Sequence, residues 1–390
     1  MDGPSPHSDS RALQAVATQF FVNGAVFASF VPRLPEIRDQ VGITVTQVGL
    51  LLSIAGLSGL AGSAVVSPAI TRLGTRRVML LGGSIISLSL GVVGLARSPL
   101  LLLVGLAGML AFDVLVDVAM NLQGSWLSAR RHAPVMNRLH GLWSLGILIG
   151  GFAASRVAAA GVSVRGHLLA ASGVLLLVCV NVSRHTLGVD GGPAPSSGRD
   201  QATAHHSKGR PPALVFFLLA GAFALAIEAT SIDWAAFRLV DDFGAEPGFA
   251  ALGYVAVAGG MTAIRFVGDW MVVRLGTDRL LRAAAVAAAV GLAVACLTPS
   301  RYVSLAGFLV AGTGIGALMP ALYDSAARHE GRPGAGLGAL TAGLRIAAFV
   351  VPLAVGALAG SQLSVGAAVA LVTLPSASFF LAVHTRIGRL

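Results

Sequence analysis

Apolar stretches of about 20 residues recur from Ala12 almost to the C-terminal end, separated by short segments that carry charge, Pro or Gly. Each is long enough to cross about 30 Å of hydrocarbon as a helix. Bounding them by those breaks predicts spans at about 12–31, 47–70, 78–96, 100–122, 137–160 and 164–182, then 212–236, 249–273, 280–297, 302–326, 336–359 and 364–385. Between the sixth and seventh lies a polar segment, Ser183 to Arg210, with the strings GGPAPSSGRDQ and HHSKGR. Its Gly, Pro, Ser and charge content cannot build a core. The expected organisation is therefore an all-α polytopic membrane protein: a six-helix bundle over 1–183, a linker over 184–211 and a second six-helix bundle over 212–390.

Composition agrees, with 55% hydrophobic and 11% charged residues among 390, where a soluble domain carries about 25% charged. The net charge of +10 changes meaning in that setting. If the N-terminus is cytoplasmic, eighteen of the 27 basic residues fall in inward segments, seven in outward segments, and Arg265 and Arg345 inside spans. That bias is the positive-inside pattern, so it points to a lipid bilayer and to cytoplasmic termini rather than to nucleic acid. Acids rather than a basic region precede the first span, so no cleaved signal peptide is expected. The excess of Arg over Lys, with abundant Ala, Gly and Val, suits a high-GC bacterial gene and hence a bacterial inner membrane. Cys179 and Cys296 both lie in apolar stretches, and His205 and His206 stand alone in the linker. No metal site and no cofactor is expected from them. His-Glu-x-x-His, Walker and nucleophile-elbow signatures are absent, so neither enzyme chemistry nor primary pumping is expected.

An internal repeat divides the chain. Thr71-Arg72-Leu73-Gly74-Thr75-Arg76-Arg77-Val78, after span two, returns as Val273-Arg274-Leu275-Gly276-Thr277-Asp278-Arg279-Leu280, after span eight, at an offset of 202. Two parallel six-span halves are what a rocking transporter requires.

At these residues the chain resembles the major facilitator superfamily, whose loop between spans two and three carries Gly-x-x-x-Asp-Arg-x-Gly-Arg-Arg. Ser67 to Arg76 keeps Arg72, Gly74 and Arg76, with Thr71 at the acidic position; the second copy, Arg265-Phe266-Val267-Gly268-Asp269 followed by Arg274-Leu275-Gly276, keeps an acid at Asp269. The resemblance implies that Arg72, Gly74, Arg76, Arg265, Asp269, Arg274 and Gly276 form a cytoplasmic gate. Phe21-Val22-Asn23-Gly24, Asp117-Val118-Ala119-Met120-Asn121, Leu139 to Gly146 and Ile232-Asp233-Trp234-Ala235 resemble, more narrowly, the YbjJ-like permeases near the fucose permease. It also implies a cavity lined by spans one, four, seven and ten.

Charges inside a bilayer cost roughly 3 kcal/mol each and are functional candidates by default. Asp113 and Asp117 stand at i and i+4 in span four, with Asn121 one turn on, so all three share a helical face. Two such carboxyls are suited to sharing a proton, with Asp117 as carrier and Asp113 as modulator or substrate contact; a non-titrating gate bond at Asp117 is the alternative. Glu228 in span seven is a further proton or substrate group, and Asp233 with Trp234 is expected at the outer mouth, where Trp also serves as a membrane anchor. Arg265 and Asp269 form an i, i+4 pair near the gate. Arg345 in span eleven either binds an anionic solute or neutralises Glu228 or an acid of span four, the second being preferred. Gln19 and Asn23, one turn apart in span one, either hydrogen-bond a solute or bridge helices. His140 is a weaker solute or proton contact. Gly146 to Gly151, Gly312 to Gly316 and Gly356 to Gly360 permit close helix approach.

The expectation is a monomeric, proton-coupled secondary transporter of a small organic solute. Export is favoured over proton-sugar symport, because the spans offer few aromatic rings for stacking. A transporter-shaped receptor is the third reading.

Overall fold

The computed structural model describes residues 6–133, 135–188, 211–327, 329 and 335–387, and among them the chain is helical throughout its long elements. The order is α1 (Pro6–Phe30), a 3-10 turn (Val31–Arg33), α2 (Leu34–Val41), α3 (Val45–Leu95), α4 (Pro99–Arg130), α5 (Met136–Ala159), α6 (Val164–Ser183), α7 (Pro211–Asp241), α8 (Pro247–Leu275), α9 (Thr277–Leu297), α10 (Arg301–Ala327), α11 (Ala335–Ala359) and α12 (Val365–Ile387). At 51 residues α3 would run about 77 Å, more than twice a bilayer's hydrocarbon. It is two spans, broken at Gly74 with φ 78° and ψ 156°. With its limbs counted separately, the eleven membrane-length helices among the described residues make the twelve expected spans. Of the linker, residues 189–210, with His205 and His206, lie outside the described residues.

The repeat read from the loops is written into the backbone. Gly276 has φ 78° and ψ 155°, the counterpart of Gly74; Gly42 and Gly244, also at positive φ, are again 202 apart. Only glycine takes that conformation without strain, so the turns are fixed by those residues.

Two compact units result, residues 1–42 with 54–198 and residues 43–53 with 199–390. In the first, α1 and α5 interlock through glycines: a Cβ at Gly24 would strike the Trp143 carbonyl, and one at Gly146 the Phe21 carbonyl. In the second, α7 and α11 do the same, Gly221 against the Leu340 carbonyl and Gly343 against the Leu218 carbonyl. All four positions of one lock reappear in the other at an offset of 197. Likewise Gly105 lies on Ser89 and Val93, and Gly307 on Gly291 and Ala295, each 202 apart. Lipid gives helices little reason to associate through apolar area, so such backbone approach supplies the packing.

Aromatic residues mark the two ends of the second unit. Arg301 lies 5.0 Å from the Phe249 ring and 5.1 Å from the Tyr302 ring, and at the other end of α8 Arg274 lies 4.7 Å from the Trp270 ring. Phe249 and Trp270 are 21 residues apart, about 32 Å of helix and close to the hydrocarbon thickness. Apolar side chains such as Phe266 and Val267 are exposed between them, as a lipid-facing surface requires.

The first loop repeat is anchored within its own unit. Gln123 donates from Nε2 to the Thr75 hydroxyl at 2.8 Å and to the Leu187 carbonyl at 2.9 Å, and its Oε1 accepts from the Leu187 N–H at 3.0 Å. Gln123→Ala strands these buried groups and is expected to cost about 2 kcal/mol. Thermal unfolding in detergent measures this, and an unchanged midpoint would count against the anchor.

Candidate functional site

The first unit gathers most of the candidate polar residues. Asn23, 5% exposed on α1, donates from Nδ2 to Asp113 Oδ1 on α4 at 3.1 Å. One turn along α4, Asn121 Nδ2 donates to Asp117 Oδ1 at 3.1 Å and to the Asp117 carbonyl at 2.8 Å. Asp113 is half-buried and Asp117 exposed. Each carboxyl thus has an amide on Oδ1. No ion pair to either carboxyl is formed among the described residues. Gln19 is enclosed at 1% exposure, and its Oε1 has no hydrogen-bond partner among the described residues. His140 is exposed on α5 with its ring edge-on to Phe20, centroids 5.2 Å apart.

The repeat allows a test of what the fold itself demands. At the offset of α1 and α7, Gln19 and Asn23 correspond to Phe216 and Ala220; at that of α4 and α10, Asp113, Asp117 and Asn121 correspond to Ile315, Met319 and Tyr323. The packing around these positions is shared, as the glycine locks show, but the charges and amides are not. The first unit's polar set is an addition to a scaffold that stands without it.

In the second unit Glu228 on α7 and Arg265 on α8 are both half-buried and within electrostatic reach of each other. Asp233, half-buried, is within reach of Tyr254, whose ring is enclosed. Trp234 is 1% exposed and packs on Phe237 with centroids 5.1 Å apart. Its indole is inside the bundle rather than at a membrane interface. Arg345 is exposed on α11.

The expected gate residues belong to both units. Arg76 donates to the carbonyls of Ser183 at 3.0 Å and Arg184 at 2.7 Å, closing the C-terminal end of α6. Arg72 is exposed, Arg274 stacks on Trp270, and Gly74 and Gly276 make the turns. The Asp269 side chain, and with it the expected pairing with Arg265, lies outside the described residues.

Sequence reading missed the ties at the far ends of the helices. Arg33, 1% exposed, donates to Glu36 at 2.8 and 2.5 Å and to the Val162 carbonyl at 2.8 Å. Arg238 pairs with Asp242 and donates to the Thr298 carbonyl at 2.7 Å. Asp9 meets Arg130 at 3.0 Å. The i, i+3 and i, i+4 spacing of the first two was a usable signal.

Twelve spans in two repeated halves, with charges held inside them, define a polytopic solute carrier. The Major Facilitator Superfamily profile matches residues 16–352, and the chain belongs to that family. An uncharacterised MFS-type transporter of Yersinia pestis is 27% identical over 323 residues, 82% of each chain. Membrane protein MosC of Rhizobium meliloti is 26% identical over 319 residues, 81% of this chain and 75% of that one. In fold, the chain is similar to the nucleoside transporter NupG, with a TM-score of 0.71 at 12% identity over 97% of this chain and 98% of that one. It is also similar to the inward-facing, unoccupied bacterial homologue of the human lysosomal transporter Spinster, with a TM-score of 0.67 at 17% identity over 99% and 97%.

Proposed function

We propose that this MFS transporter is a proton-coupled carrier of a small organic solute, exporting it by alternating access, with Asp117 as proton carrier and Asp113 beside it. The observation that carries the reading is the Asn23–Asp113 join between α1 and α4, at 3.1 Å, where the sister unit has Ala220 and Ile315. A membrane charge costs roughly 3 kcal/mol, and the fold does not require this one. Amide N–H donors on both Oδ1 atoms suit a carboxyl that changes protonation more than an oxygen cage for a hard cation. Glu228, with Arg265 as counter-charge, is the second titrating candidate.

Export is favoured over sugar symport because the amides suited to sugar hydroxyls are taken: Asn23 by Asp113, and Gln19 by enclosure. His140, Asp113 and the side-chain oxygen of Asn121, whose N–H is given to Asp117, remain as solute contacts in the first unit, with Asp233 and Arg345 in the second. Kinship to the YbjJ-like permeases, the boundaries at 183 and 212, a monomeric state, and placement in a bacterial inner membrane with both termini cytoplasmic belong to the same reading. The Arg distribution supports the last of these.

Proteoliposomes on a solid-supported membrane, screened with sugars, amphipathic amines and organic anions under a pH gradient, test the proposal. Asp117→Asn is expected to reduce pH-driven current tenfold or more, about 1.4 kcal/mol or greater, while solute counterflow persists. Undiminished driven current in that variant refutes the assignment, and binding without counterflow turns the reading to a receptor.

A further inference from the structure

Three polar side chains on adjacent helices of the second unit have no partner among the described residues. Asp233, half-buried on α7, forms no hydrogen bond or ion pair there. Thr230, one turn earlier on the same face, is 0% exposed with its Oγ1 unbonded. The neighbouring Ser231 hydroxyl, by contrast, donates to the Ile227 carbonyl at 2.6 Å in the way usual for a helix. Tyr254 on α8 is 2% exposed, and its hydroxyl likewise forms no hydrogen bond. Enclosed polar groups left unpaired are costly, so three together call for a partner that comes and goes.

A backbone contact brings the three to one level. The helices α7 and α8 meet at Ala235 and Gly253, where a Cβ on the glycine would fall 2.9 Å from the Ala235 carbonyl oxygen. Tyr254 follows that glycine and Asp233 stands two residues before that alanine, and the phenol and the carboxyl are within electrostatic reach. Asp233 lies eight residues, about 12 Å, inside the end of α7, in the spanning part of the helix rather than at its terminus. Nearby cations serve other acids: Arg265 faces Glu228, and Arg238 pairs with Asp242. Helix packing does not call for the phenol, since at the offset of α3 and α8 its counterpart is Leu52.

The chemistry of the three groups selects the partner. An anion is repelled by the carboxylate, and a neutral hydroxyl leaves its charge uncompensated. A hard metal ion requires about six oxygens, more than these three side chains offer. A guanidinium presents its donors in one plane, suited to a carboxylate fork rather than to acceptors on two helices. A primary ammonium has three N–H donors, no acceptor and one positive charge, which suits one carboxylate and two hydroxyl oxygens. We propose that Thr230, Asp233 and Tyr254 bind the primary ammonium group of the solute. The Asp233 carboxylate is its counter-ion, and the Thr230 and Tyr254 hydroxyl oxygens accept its remaining N–H groups. This deepens the solute contact given above to Asp233 and rests on the carrier reading; it makes the solute class organic amines that are protonated at neutral pH.

Probes matched in frame and different in polar group test the proposal by thermal unfolding of the detergent-purified full chain. The sets are phenethylamine, 2-phenylethanol and 3-phenylpropionate; hexylamine, 1-hexanol and heptanoate; and glucosamine, glucose and glucuronate. The amine of at least one set should raise the midpoint where its alcohol and acid do not, and the N-trimethyl form of that amine, charged but without N–H, should bind more weakly. Asp233→Asn should weaken the amine about tenfold or more, and Tyr254→Phe and Thr230→Val about threefold each. Thr230→Val removes an unbonded hydroxyl, so its unliganded midpoint should not fall, and with Tyr254→Phe it decides the matter if Asp233→Asn does not fold. No amine binding in any set, an alcohol or acid that binds as tightly as its amine, or amine affinity unchanged in the variants overturns the proposal. Counterflow of the same probes in proteoliposomes separates this from the reading beneath it. Counterflow of an alcohol or acid that is indifferent to Asp233→Asn leaves the carrier and removes the ammonium site, whereas amine binding that depends on Asp233 but gives no counterflow keeps the site and removes the carrier.

Discussion

Gly343→Leu is expected to abolish accumulation of folded protein, and Gly343→Ala to lower its stability by about 3 kcal/mol. A Cβ at this position falls inside the Leu218 carbonyl, with the Ala222 nitrogen a further 2.9 Å contact. Backbone cannot rotate away as a side-chain tip does, so α7 and α11 must separate. Separation also opens the reciprocal contact of Gly221 on Leu340, and the loss is cooperative. Position, rather than glycine content, is the cause. Gly173 in α6 has nothing within 4 Å of where its Cβ would be, and Gly173→Ala should raise stability by about 1 kcal/mol through helix propensity. Fluorescence-detected size exclusion and thermal unfolding of both alanine variants separate the cases. If Gly343→Ala unfolds no earlier than wild type, the interlock is not what holds these helices together.

The locks show where sequence reading reaches its limit. Span count and the six-plus-six division were legible because hydropathy reports whole helices, and Gly74 and Gly276 were legible because a loop repeat is local. The chain has 49 glycines, and nothing in their spacing states which backbone each one meets. The second offset, 197 rather than 202, emerges only when Gly24 and Gly146 are seen to grip each other's helix as Gly221 and Gly343 do. Side-chain direction was the other gap. That the Asn23 amide lies on Asp113 and that the Trp234 ring is enclosed are both directions the sequence does not state. Hydropathy averages over a helix's faces, so it locates a polar residue in depth but not in azimuth.

Asp242→Ala is the second substitution expected to be severe, at about 3–5 kcal/mol, the usual cost of removing one member of a buried ion pair. Asp242 holds two things at once. Its carboxylate pairs with Arg238, which is 6% exposed, and it accepts the Val365 N–H at 3.0 Å and the Gly366 N–H at 2.7 Å. Those N–H groups open α12, so the acid also meets the positive end of that helix. Alanine leaves an enclosed guanidinium without its partner and two helix-terminal donors without an acceptor. Asp242→Asn keeps one acceptor oxygen and should lose about half as much. Arg238→Leu combined with Asp242→Asn removes the stranded charge and should recover part of the loss, which an additive pair of defects would not. The first unit ties the same two elements by other means, with Arg33 after α1 reaching the Val162 carbonyl just before α6. Both halves therefore place a buried Arg with an acid three or four residues on at the end of their first span, but in the first the Arg itself reaches the residues before the last span, whereas in the second the acid does. Thermal unfolding of the three variants decides the matter, since a loss under about 1 kcal/mol in Asp242→Ala would mean that α12 is held by packing alone.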